Sequence, residues 1–139
     1  MQEIKIVFTN VEMLRMSTKP ANTAQKKWMN DITDWAEHYI DKLYGHDYMS
    51  CIIQRHHVLG RSAKQNKVAV GHYFILPIPF MLHDVSSNHP DNVTHHKKAF
   101  VRQFGDQRHI FGVMYRDMKE QGYNVPDISI YDAIMSTRA

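Results

Sequence analysis

The chain has 139 residues, of which 43% are apolar, and a formal net charge of +3 at neutral pH. That size suits one domain with one modest core, and the apolar fraction excludes a disordered chain. The apolar runs stop well short of the roughly 18 residues of a membrane span. The start, MQEIKIVF, lacks the long apolar centre of a signal peptide, and a single cysteine, Cys51, excludes an internal disulfide framework. A cytoplasmic protein without a membrane partner is therefore expected.

In chain order, residues 2 to 10 alternate Ile4, Ile6 and Phe8 against polar positions, the two-residue period of a half-buried strand. MSTKPAN is a turn-rich connector. From Thr23 to Tyr44 the period changes: Trp28, Ile32, Trp35, Tyr39, Ile40 and Leu43 form one stripe of an amphipathic helix. Asn22 or Thr23 is its expected N-cap and Gly45 its stop. Residues 48 to 56 read as a short strand, GRSAKQNKVAVG as a basic loop or hairpin tip, and HYFILPIP as a second strand ended by its prolines. FMLHDVSSNHPDN is irregular, with room for one helical turn. Thr94 is placed to cap a helix through HHKKAFVRQF that ends at Gly105. RHIFGVMYRDMKEQG continues helical, and VPDISIYDAIM reads as a last short helix with Pro126 near its first turn. These elements make an α+β protein, one domain over residues 1–139.

Ten histidines are the unusual feature, and seven of them (His56, His57, His72, His83, His89, His95 and His96) fall between positions 56 and 96. Neutral imidazole is the commonest metal ligand and also a base suited to neutral pH. Neighbours on an extended strand point to opposite faces, so His56 and His57 cannot both reach one point from a regular strand. At a strand end they can divide two tasks, one holding a divalent ion and the other facing a water. Hydrolysis of a phosphodiester with a single metal needs that division, and a further group to orient the base. His38, His46 and His109 need no special role.

The order HHVLGR, basic hairpin, LPIPFMLH and THHKKAFVRQFG resembles the ββα-metal motif of HNH endonucleases. Within that superfamily it looks most like the phage RecA-dependent nuclease (Ref-like) group, over residues 51 to 105. The resemblance implies a ββα-metal core at about 48–105, with the N-terminal strand and long helix before it and helices after it. It implies His56 as metal ligand, His57 as general base and His83 as a ligand from the closing helix. His95 or His96 matches a third histidine of the group, His95 being preferred, with His89 a fourth candidate. The middle position, usually asparagine, falls on His72 or Asn66 as the residue orienting His57. The cysteine usual beside the ligand histidine is missing, since positions 80 to 82 read Phe-Met-Leu.

Arg55, Arg61, Lys64 and Lys67 flank the histidine pair, and Lys97, Lys98 and Arg102 follow it on the next helix; all are suited to phosphate contact. Lys97 and Lys98 oppose a helix dipole unless an anion sits nearby. The expected function is divalent-metal-dependent hydrolysis of DNA, with Mg²⁺ or Zn²⁺ as the ion and Mn²⁺ a further option. The resemblance adds phage origin, a role in recombination and a RecA-type recombinase filament as partner. Two rivals are a non-catalytic DNA-binding or recombination accessory protein with a degenerate HNH fold, and a protein whose histidines hold zinc for structure alone.

Overall fold

A computed structural model describes residues 20–139; the strand expected over residues 2 to 10, and residues 16–19 of the connector after it, lie outside the described residues. The chain is α+β. Helix α1 spans Thr23–Tyr39, α2 Asp41–Tyr44, strand β1 Ile53–His57, β2 Lys64–Gln65, β3 Val68–Ala69 and β4 Ile75–Pro79. Helices α3 (Phe80–His83), α4 (Lys97–Phe104), α5 (Gln107–Glu120) and α6 (Ile128–Met135) complete it.

Asn22 caps α1 through a reciprocal pair with Gln25, each side chain bonding the other's backbone N–H at 2.8–2.9 Å. The expected long helix is divided at Ile40 into α1 and α2 and stops at Gly45, whose φ of 97° suits a residue without a Cβ. The strand expected from residue 48 begins only at Ile53. A single 3-10 turn occupies His46–Tyr48, and Ser50 sits at φ 67°, which breaks extended pairing before it starts.

β1 and β4 are antiparallel, with His56 opposite Leu76 and His57 opposite Ile75. Flanking bonds from Phe80 N–H to the Ile52 carbonyl and from Val58 N–H to the Phe74 carbonyl set the ladder's parity. Pro77 and Pro79 therefore fall on the alternate positions, where a missing N–H removes no ladder bond. Between the two strands a hairpin, β2–β3, turns on Asn66 and Lys67, both at positive φ (52° and 66°), the mirror-image turn that matches strand twist.

Every residue of β4 is buried. The sheet lies between the apolar face of α1 (Trp28, Met29, Ile32, Trp35) and that of α5 (Ile110, Phe111, Met114), with Phe74 and Phe100 in the same core. Trp28 Nε1 donates to the Tyr73 carbonyl at 3.0 Å, tying α1 to the entry of β4. Trp35 Nε1 and Lys42 Nζ both meet the Asp117 carboxylate, at 2.8 Å each, tying α1 and α2 to α5. Asp106 and Asp127 cap α5 and α6. Among the described residues no helix is long and apolar enough to cross a membrane.

The helix expected to be capped by Thr94 starts later, at Lys97. Thr94 is engaged elsewhere: its N–H bonds Asn92 Oδ1 at 2.8 Å and its hydroxyl donates to the His83 carbonyl at 2.5 Å. Asn92 is fully buried and donates from Nδ2 to the Met81 and Asp84 carbonyls at 3.1 and 3.0 Å. That one side chain ties the loop after α3 to the turn that carries His83.

Candidate metal centre

Strand alternation sorts the residues of β1. Gln54 and His56 project to one face, Arg55 and His57 to the other. On the first face, His56 Nδ1 lies 3.1 Å from His83 Nε2, across 27 residues of sequence. Each ring is held at its other nitrogen. His56 Nε2 is 3.0 Å from Gln107 Oε1, at the start of α5, and His83 Nδ1 is 2.5 Å from Gln54 Oε1. Gln54 Nε2 in turn donates to Asp84 Oδ1 at 3.0 Å.

Burial, then the neighbouring His83, pushes the His56 imidazole down to about 4, while burial lowers His83. Near pH 7 both rings are neutral, the state that ligates metal. Asp84 is held down at about 2 by hydrogen bonds from the Gln54 side chain and from Ser86, so it stays a carboxylate.

The donor geometry fits a divalent ion. Imidazole nitrogens bind zinc at about 2.0–2.1 Å, so two on one ion, in octahedral or tetrahedral array, lie about 2.8–3.4 Å apart. The observed 3.1 Å falls in that range. Among the described residues no group of three or more His, Cys, Asp or Glu side chains is placed to hold a metal; the convergence is of two imidazoles.

On the second face, His57 Nε2 lies 3.4 Å from Nδ1 of His72, which is buried just before β4. Of the two residues expected to orient His57, the structure places His72 beside it, whereas Asn66 sits exposed at the hairpin tip. Burial, then His72, Arg61 and Arg55, push His57 down to about 4, so it too is neutral near pH 7 and free to accept a proton. A proton on His57 would further disfavour one on His56, since the two charged rings would repel.

The other expected ligands are elsewhere. His95 is exposed, and its Nε2 donates to the Val85 carbonyl at 2.7 Å. His96 is the exposed residue before α4, and His89 accepts at Nδ1 from the Asp91 N–H within its own turn. None is joined to the His56–His83 pair.

The basic residues divide. Arg55 is turned onto α1, its Nε donating to Thr33 Oγ1 at 3.0 Å and Nη2 to Asn30 Oδ1 at 2.9 Å. Arg61, Lys64 and Lys67 are exposed around the hairpin, and Lys97, Lys98 and Arg102 are exposed on α4. The positive charge of Lys97 reaches His56, and that of Arg61 reaches His57, so both pairs sit in a positive field.

Two residues of the site escape a reading of the histidines alone. Gln54 is recoverable from strand period, two positions before His56 on the same face. Gln107 arrives from a helix 51 positions away, and nothing local in the sequence points to it. Comparisons with protein-family models, with curated proteins and with solved structures find no match to this chain.

Proposed function

We propose that the protein is a divalent-metal-dependent DNA endonuclease of the HNH class, with phage recombination or DNA processing as its setting. The observation that carries this reading is the approach of His56 Nδ1 to His83 Nε2 at 3.1 Å, a ligand spacing built by a strand and the helix after its partner strand. The order of β1, basic hairpin, β4 and α3 supports the resemblance to a ββα-metal core. Two protein ligands leave positions for water and a phosphate oxygen, unlike the closed four-ligand shell of a structural zinc.

His56 and His83 would hold the ion. When bound, the cation supplies positive charge to a phosphate oxygen and to the departing oxygen. Arg61, Lys64 and Lys67 from the hairpin, with Lys97, Lys98 and Arg102 from α4, draw the DNA backbone to the site. His57 is the general base, with its Nε2 directed at His72 and its Nδ1 receiving a proton from the attacking water. The water oxygen bonds to phosphorus as the P–O bond to the leaving oxygen breaks, and that oxygen takes a proton from solvent. His72 positions the ring and takes no part in bond making. The expected partner beyond DNA is a recombinase filament, on the resemblance to the phage group.

The test is cleavage of plasmid and single-stranded DNA with Mg²⁺, Mn²⁺ or Zn²⁺, before and after chelation. Metal-dependent cutting that is lost in His56→Ala and His83→Ala supports the reading. Metal binding with no cutting of either substrate favours the accessory-protein alternative.

A further inference from the structure

We propose that Gln54 and Gln107 are positioning residues that fix opposite tautomers on His83 and His56, so that two bare ring nitrogens face one point; this rests on the reading of that pair as a cation site. The argument is one of donors and acceptors. A carboxylate can only accept, so the 3.0 Å contact of Gln54 Nε2 with Asp84 Oδ1 fixes which way the Gln54 amide points. Its carbonyl oxygen then faces His83 Nδ1 at 2.5 Å and can only accept, so Nδ1 carries the proton and Nε2 is bare. Gln107 presents Oε1 to His56 Nε2 at 3.0 Å, and with the amide in that orientation His56 carries its proton on Nε2 and is bare at Nδ1.

The two bare nitrogens are the ones 3.1 Å apart. Without a proton between them they repel, and an electrophile between them relieves that. A hydrogen-bonded histidine pair needs one donor and one acceptor; this arrangement supplies two acceptors. Amide orienters also differ from carboxylate ones in adding no charge. The negative charge of Asp84 is one residue removed, behind Gln54. The ligand set is thus neutral, which leaves a bound dication's full charge for an anionic ligand such as phosphate.

The experiment is imidazole ¹⁵N correlation spectroscopy on the metal-free full chain near pH 7.5, followed by Co²⁺ titration. The expected result is an Nε2–H tautomer at His56 and an Nδ1–H tautomer at His83. Gln54→Leu should let His83 sample both tautomers, and Gln107→Leu should do the same for His56. Each should weaken Co²⁺ binding by about 10- to 100-fold. Gln107→Glu, which keeps an acceptor oxygen and adds negative charge, should bind Co²⁺ at least as tightly as the parent. A proton on His56 Nδ1 or on His83 Nε2 in the parent overturns the assignment without need of any variant. Parental Co²⁺ affinity in both folded leucine variants also overturns it while leaving the metal site standing. The expected tautomers in a parent that binds no Co²⁺ would uphold the positioning role and sink the cation reading.

Discussion

At the scale of single residues, the site is two histidine pairs on opposite faces of one short strand. The separation of roles predicts separable losses. His57→Ala should keep metal affinity and lower DNA cleavage by about 10²–10⁴-fold, the range of a lost general base. His83→Ala should abolish metal binding by calorimetry together with activity. Gly71 is a quieter requirement. A Cβ there would collide with the backbone of Gly60 and Arg61, which crosses directly over it, and His72 is the next residue. Gly71→Ala should lower stability by about 1–3 kcal/mol in urea unfolding and displace His72 from His57. The doubled histidine and the opposite faces of its two members were legible in the sequence, because a strand's period is local. The place of His95 was not: its ring is taken by the Val85 carbonyl, a contact made by a loop without any period.

At the scale of elements, a strand, a hairpin and a stapled loop bring the pairs together. Lys67 holds a left-handed backbone at the hairpin tip, where glycine is favoured. Lys67→Gly should therefore raise stability by about 0.5–1 kcal/mol while weakening DNA binding, opposite signs that fluorescence melts and gel shifts would separate. Asn92 holds the loop behind α3 through four bonds, two given and two received. Asn92→Ala should cost about 2–3 kcal/mol and weaken metal binding by loosening His83, with unfolding and Co²⁺ titration as the two readouts. Element types from Thr23 onward were readable from apolar period and from Gly45 and Gly105 as stops. Several boundaries were not, because side chains made other bonds: Thr94 serves the His83 carbonyl instead of a cap, and Ser50 adopts positive φ where a strand was expected.

At the scale of the whole molecule, α1 and α5 enclose β4, and the core they form sets the framework that holds Gln107 against His56. That long-range approach is why only part of the site could be read from sequence: the residues of β1 and β4 are near in register, whereas α5 reaches the site only through packing. Exposed cations on the hairpin and α4 give the site its positive side. DNA affinity should fall steeply with salt, and removing one phosphate-contacting lysine should reduce the log–log slope by about 0.7–0.9. The central claim is that this chain cuts DNA by metal-assisted hydrolysis with His57 as base. The most direct measurement is the rate of plasmid cleavage by the parent and His57→Ala at saturating Mg²⁺, Mn²⁺ or Zn²⁺, each checked for metal binding. The account predicts cutting by the parent that a chelator stops, and a variant slower by at least about 100-fold with metal affinity unchanged. A metal-loaded variant that cuts as fast as the parent, or a parent that cuts with none of the three ions, would contradict it.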